Sequence, residues 1–270
     1  MGISGKRSPE ELYSIIRKVE GFLYDGEAYL LYEKAFGLRP GGVIAEIGSY
    51  CGKSTVCMAF GLKDSGNKNA RIYAIDPFGG SSEHGSIDTF PRFKDNIRNA
   101  GVEEFITPVK ASSEEAYRKW DLTRNIDLLW IDGGHEYEYV AEDINLWLKL
   151  VIEGGVIALH DTSGRFYYGG FVGVRRALKE ILFKRECLKD YGFVNATTYA
   201  RKSHSITQKE AWERWKAYMC WWTGEVVLYP KAKGFGMIRF SLVILSRYLK
   251  RIPKFIRKPW VLLMDESKRW

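Results

Sequence analysis

The chain has 270 residues, 46% hydrophobic and 27% charged, with 41 Lys or Arg against 33 Asp or Glu for a net charge of +8. That length can bury a full hydrophobic core, and no 18-residue apolar run is present to serve as an ordinary membrane-spanning helix. The four cysteines, Cys51, Cys57, Cys187 and Cys220, lack zinc spacing and no signal peptide is legible, so a reducing cytoplasm is the expected compartment.

In chain order, Ser8 with Glu11 reads as a capping box opening a helix toward Val19, and a second helix is predicted over Gly26 to Phe36. Short apolar runs then predict strands at about 43–47, 71–76, 105–109, 126–132 and 154–160, with helices between them. Val140, Ile144, Trp147, Leu148 and Val151 keep a 3.6-residue period, and Phe171 to Leu182 repeats the pattern. The stretch Phe193 to Arg201 turns strand-like again. This alternation predicts an α/β fold, a Rossmann-like doubly wound and mostly parallel sheet. The expected division is N-terminal helices over residues 1–40, the core over 41–202 and a basic, Trp-rich helical extension over 203–270.

The segment VIAEIGSYCGKSTVCMAF runs from a buried strand through a glycine turn into a helix, and the following strand delivers Asp76 to the same rim. Gly48 and Gly52 let the backbone turn tightly and approach a ligand, and the Asp76 carboxylate suits the two hydroxyls of a ribose. GSYCGKST is one residue short of a phosphate-cradling Walker loop, and Tyr50 and Thr55 stand where a dinucleotide fingerprint needs glycines. What remains is E-x-G-x-x-x-G. Glu46 ahead of the turn would repel a phosphate but suits a cationic amino-acid end, as in S-adenosylmethionine. Glu46, Gly48, Ser49, Tyr50, Gly52, Ser54 and Asp76 are the candidate cofactor residues of this segment. Lys53 reads as a solvated helix residue.

With these residues in view, the chain resembles the class I S-adenosylmethionine-dependent methyltransferases, especially the branch that methylates sugars and similar hydroxyls, and more distantly the catechol-type O-methyltransferases. The likeness covers about Glu20 to Lys202 and is carried by EIGSYCGKST, YAIDPF, VKASSEEA, DLLWIDGGHEYEYVAEDI, GGVIALHDT, GVRRAL and TYARK, in family order. It implies that the N-terminal helices cover the cofactor and that Ser112 and Ser113 lie on its adenine side, a helix cap being the compatible alternative.

The second candidate constellation is the rim where IDLLWID ends in Asp132 and VIALHD ends in Asp161. Strand ends about 4.8 Å apart let two carboxylates converge on one ion, and carboxylates with water suit Mg²⁺ or Mn²⁺. Asp132 is also a cofactor candidate. By resemblance the third metal ligand is Thr162, where the family usually has Asn or Asp, and His135 is the catalytic base that activates a hydroxyl. The plainer readings are Asp161 as a loop cap, Asp132 as a cofactor orienter and His135 as a histidine at a helix N-terminus hydrogen-bonded to Glu136 or Glu138. His160 reads as a core or supporting histidine, and His84 and His204 carry little signal. The glycine-rich loops at 78–89 and 163–170, with Phe166, Tyr167 and Tyr168, are the expected acceptor walls.

The basic character is concentrated late. Residues 231–270 carry a net charge of +9 and the preceding 230 about −1, and six of the nine tryptophans follow Lys202. Met237 to Ile252 is apolar, with Arg239, Arg247, Lys250 and Arg251 on one side of a helical wheel. This predicts a segment lying in an anionic membrane surface, against which stands packing on its own domain or on a dimer partner. The leading expectation is thus an O-methyltransferase of a glycan or lipid-linked saccharide, peripheral on the inner face of the membrane. A nucleic-acid methyltransferase is suggested by the charge, but IDGGH lacks the motif of base amino-methylation, so a nucleic-acid partner is not favoured. A non-catalytic membrane-docking protein and a metal-dependent hydroxylase on the same fold also remain open.

Overall fold

The computed structural model describes residues 5–80, 85–162 and 171–222. His84, Phe166 to Tyr168 and the basic tail lie outside the described residues, as do the expectations that rest on them.

Two helices come first, α1 (Pro9–Ile16) and α2 (Asp25–Phe36). The Ser8 hydroxyl accepts the Glu11 N–H while the Glu11 carboxylate accepts the Ser8 N–H, so the predicted capping box forms. There follow β1 (Val43–Ile47), α3 (Lys53–Asp64), β2 (Arg71–Asp76), α4 (Phe90–Asn99), β3 (Ile106–Lys110), α5 (Ser113–Arg118), β4 (Ile126–Ile131), α6 (Tyr137–Trp147) and β5 (Val151–Leu159). The chain continues through α7 (Val172–Glu180), β6 (Leu188–Val194), β7 (Thr197–Lys202) and α8 (Gln208–Trp222).

The seven strands form one sheet in the order β3-β2-β1-β4-β5-β7-β6, parallel except for β7, which runs antiparallel to both β5 and β6. Both faces are covered, which is why the strands read as unbroken apolar runs. Ile44, Ile72, Leu128 and Trp130 face one core with α1, α2 and α3. Ala45, Ile75, Leu129 and Ile131 face the other, which holds Trp147, Leu178 and Trp221. Strand order reverses between β1 and β4, so their carboxyl ends frame the crevice where open α/β sheets bind ligands.

Two expectations are corrected here. Val151 does not continue the preceding helix but begins β5 and pairs with Ile126, because α6 ends at Trp147 and a tight turn intervenes. The strand-like text around 193–201 is two strands, folded back at Asn195, which takes the left-handed conformation with φ 50°. The helix α8 packs on the sheet through Trp221, which is buried in the second core and whose indole N–H donates to the Thr162 carbonyl at 2.8 Å.

Candidate active site

The site is built at the carboxyl ends of β1, β2, β4 and β5. After β1 the backbone turns through three left-handed residues, Gly48 (φ 87°), Tyr50 (φ 47°) and Gly52 (φ 87°), before α3 begins. The β1 and β4 ends close on one another at this point, where the Asp132 N–H donates to the Ile47 carbonyl at 2.8 Å and a Cβ on Gly48 would lie 2.1 Å from the Asp132 carbonyl oxygen. Gly48 is therefore required first by strand packing.

Asp76 fixes the turn from the neighbouring strand. Its Oδ2 accepts the N–H groups of Ser49 and Tyr50, each at 2.8 Å, and its Oδ1 accepts the N–H of Phe78 at 2.6 Å. The carboxylate is half-buried at the rim, where the lone pair left on Oδ1 suits one of the ribose hydroxyls expected of it.

Glu46 lies beneath the turn. It was expected to meet a cationic end of the cofactor, and its side chain is fully buried there. Its carboxylate accepts the hydroxyls of Ser49 at 2.9 Å, Ser54 at 2.6 Å and Thr55. Burial pushes its carboxyl up to about 7, against the lowering effect of the three hydroxyls. Glu46, Ser49 and Ser54 thus fasten the base of the turn to α3, the two serine hydroxyls donating to the Glu46 carboxylate. Lys53, read as solvated, donates to the Gly21 carbonyl at 3.1 Å and ties the N-terminal cover to the turn. Above it, the Phe22 and Tyr50 rings lie 6.2 Å apart, and Arg92 bridges to Glu20 at 2.9 Å.

Ser112 and Ser113 open α5 at the end of β3, and the helix cap expected as the compatible alternative is present. Ser112 caps α5 in a capping box with Glu115. The Ser113 hydroxyl donates to the buried Asp143 carboxylate and accepts the Trp147 indole N–H at 2.9 Å, joining α5 to α6. Burial pushes Asp143 up to about 6, against the lowering effect of the Ser113 hydroxyl.

At the second rim Asp132, His135 and Asp161 come together, with donor atoms all within 4.8 Å of one another. His135 Nε2 lies 3.2 Å from Asp161 Oδ2, and the imidazole stacks on Phe171 with centroids 3.6 Å apart. Asp161 holds a left-handed conformation, φ 54°, which a non-glycine residue adopts at a cost of about 1–3 kcal/mol and which is common at functional sites. His160 is the unexpected member. It is buried, with Nδ1 at 2.9 Å from Asp132 and 3.3 Å from Asp161, and Nε2 at 3.1 Å from Glu27 of α2. Burial disfavours its charged form, but the carboxylates around it outweigh burial and raise it well above the ordinary histidine value. Asp161 goes the other way: burial would raise it, yet His135 and His160 hold it well below the carboxylate range.

Thr162 does not join this group. It is buried, with its hydroxyl donating to the Ala196 carbonyl at 2.7 Å and 2.7 Å from the Thr198 hydroxyl, so it fastens the end of β5 to the β6–β7 hairpin. Among the described residues, Asp132, His135 and Asp161 form the one His, Cys, Asp or Glu group close enough to hold an ion. Two carboxylates and an imidazole are a suitable donor set for a divalent cation. Sequence reasoning passed over Glu27. Its signal was a carboxylate placed directly ahead of the apolar run Ala28 to Tyr32, which is buried throughout. His204 is surface-exposed beside Glu153, at 3.8 Å.

Residues 45–162 match a family model described as a methyltransferase domain. A 40-residue stretch is 48% identical to the uncharacterized protein R132 of Acanthamoeba polyphaga mimivirus, spanning 15% of this chain and 18% of that protein. Among solved structures the fold is similar to cofactor-bound Rv0187 from MTB, with 16% identity and a TM-score of 0.53 over 73% of this chain and 89% of that one. It is similar as well to the O-methyltransferase TomG of Streptomyces achromogenes in complex with S-adenosylmethionine, 18% identical with a TM-score of 0.51 over 73% and 91%. A third likeness is to CalS11, a TDP-rhamnose 3'-O-methyltransferase of calicheamicin biosynthesis, 16% identical with a TM-score of 0.50 over 73% and 96%. At these identities the structures speak for the fold, and the family model for the domain. The chain therefore carries a methyltransferase domain, residues 45–162, on the fold of the class I S-adenosylmethionine-dependent methyltransferases.

Proposed function

We propose that this protein transfers the methyl group of S-adenosylmethionine to a hydroxyl oxygen of a saccharide. The observation that carries the reading is the placement of His135 beside Asp161 at the rim of β4 and β5, next to the Gly48–Gly52 turn of a methyltransferase domain. In the reaction the acceptor oxygen attacks the methyl carbon, the carbon–sulfur bond breaks and its electron pair stays on sulfur, giving S-adenosylhomocysteine. The hydroxyl proton passes to His135. Asp161 at 3.2 Å orients that ring and stabilises the imidazolium that results. The turn residues and Asp76 hold the cofactor so that its methyl faces the rim, which replaces an unfavourable encounter of two molecules with a fixed geometry.

Asp132, His135 and Asp161 would hold a divalent cation if one is used, and such an ion lowers the charge cost of the acceptor alkoxide. With His135 as a ligand, proton removal would fall to solvent or to the acceptor's surroundings. The mutual approach of the three donors is what favours this second reading. A saccharide acceptor is supported by the sugar O-methyltransferase among the structural likenesses. Attachment to an anionic membrane on the cytoplasmic side is supported by the charge of residues 231–270 and by the stacked, exposed Trp212 and Trp215 of α8. No helix among the described residues is long and apolar enough to cross a membrane.

The test is calorimetric titration with S-adenosylhomocysteine, followed by transfer of labelled methyl from S-adenosylmethionine to a panel of nucleoside-diphosphate sugars and lipid-linked saccharides. Binding of S-adenosylhomocysteine with label in a saccharide supports the reading. His135→Ala should then bind the cofactor normally and lose about 10²-fold or more in turnover. A chain that binds ATP or NAD but not S-adenosylhomocysteine overturns it.

A further inference from the structure

We propose that Glu27 is a positioning residue for the candidate active site, acting through His160 on Asp132 and Asp161. Its purpose rests on the methyl-transfer reading, but the arrangement itself stands on geometry. Glu27 lies in α2, 133 residues before His160, and its side chain is fully buried. A buried carboxylate is costly unless its lone pairs are filled, and here they are. Oε1 accepts the Ala196 N–H at 2.7 Å and the Thr197 hydroxyl at 3.2 Å, while Oε2 accepts the Tyr24 N–H at 3.0 Å and meets His160 Nε2 at 3.1 Å. The carboxylate is thus pinned by three elements, so it holds the imidazole against a fixed point. The opposite ring nitrogen meets Asp132 Oδ1 at 2.9 Å and Asp161 Oδ2 at 3.3 Å, and Asp161 in turn meets His135.

This row has a structural consequence. A ring held at one nitrogen alone can swing about its Cβ–Cγ bond; a ring held at both is fixed in rotamer and plane. The two acids at the strand ends are otherwise like charges at close quarters that would separate or take up a proton. His160, held from behind, gives them a common partner at set distances and leaves Asp161 facing His135. The N-terminal helices thereby belong to the rim as well as to the cofactor cover. Glu27 touches no reacting atom and is a positioning residue only.

The experiment uses the full chain with ring-¹⁵N-labelled histidine, four residues whose signals are assigned by single substitution. Wild type, Glu27→Gln, Thr197→Val and Asp161→Asn are compared by long-range ¹H–¹⁵N spectra. Asp161→Asn sets the shift that His135 shows when its own partner is changed. Glu27→Gln is expected to move the His135 signals in the same sense, although the residue does not touch His135. Thr197→Val removes a different bond to Glu27 and should leave them in place, which separates positioning from mere loosening of the core. Unmoved His135 signals in Glu27→Gln overturn the proposal, as does an equal shift in Thr197→Val. Should Glu27→Gln not fold, His160→Asn keeps a donor toward Asp132 but breaks the link to Glu27, and unmoved His135 signals there overturn the proposal equally. S-adenosylhomocysteine titration of the wild type runs alongside. Its failure removes the methyl-transfer reading without touching the His135 result.

Discussion

Gly48 and Asp132 meet where the sheet changes direction, so closely that a Cβ on Gly48 would fall 2.1 Å from the Asp132 carbonyl oxygen. Gly48→Ala should therefore lose fold stability before it loses any ligand contact. The left-handed φ of 87° alone costs a non-glycine residue about 1–3 kcal/mol, and parting β1 from β4 adds to that. Urea unfolding of the variant against wild type checks this. Full stability with weakened S-adenosylhomocysteine binding would show that the position matters only for the ligand.

Asp76→Ala removes the acceptor for the N–H groups of Ser49, Tyr50 and Phe78. Cofactor affinity should fall by about tenfold or more, roughly 1.4 kcal/mol, because the ribose partner and the turn geometry are lost together. Asp76→Asn should be milder, since its amide oxygen still accepts from the turn. Calorimetric titration of both variants with S-adenosylhomocysteine decides it, and equal affinities for wild type and Asp76→Ala would refute the assignment.

Asp143 gives a pH-dependent expectation. Its carboxyl is raised from 3.8 to about 6 in the folded chain. Between those values the unfolded chain releases its proton while the folded chain keeps it, so this group's stability contribution is full below about pH 3.8 and lost as pH rises through 6. Two units correspond to about 3 kcal/mol. Asp143→Asn keeps an acceptor for the Ser113 hydroxyl without the charge. Its stability relative to wild type should therefore rise between pH 4.5 and pH 7.5, as read from urea midpoints. Parallel pH profiles would refute the cause given.

Truncation after Pro230 should release the chain from anionic vesicles in a flotation assay while S-adenosylhomocysteine binding stays within about twofold. Each lost basic residue forfeits about 1 kcal/mol near an anionic leaflet. A full-length chain that ignores anionic vesicles, or a truncated one that aggregates, would favour a packing role for residues 231–270.

The central sheet was legible because its strands are buried on both faces and read as apolar runs ending in glycine or an acid. Gly48, Asp76, Asp132 and Asp161 stand where those runs predict. The partners of polar side chains were not legible. E-x-G-x-x-x-G places an acid beside a turn but does not say on which side of the strand it points. Glu46 follows Ala45, so strand alternation turns it to the α3 face, where Ser54 and Thr55 wait. Thr162 was carried over as a ligand by its place after Asp161. The hairpin that takes its hydroxyl comes more than thirty residues later in the chain, beyond the reach of any local pattern. His160 was underrated for the same reason, since its meaning depends on Glu27.

Glu27 joins Ala196 and Thr197 across 169 and 170 residues of chain. Closing so long a loop is a late and slow event, because its entropy is spent before the contact repays it. During synthesis the helix carrying Glu27 emerges early and waits, its carboxylate in water, until the final hairpin arrives to enclose it. The anchor of His160 therefore requires both the first helices and the last hairpin of the described chain. A nascent or clipped chain that stops before residue 196 would show most of its sheet and helices, yet leave His160 and its two acids without the anchor that sets them.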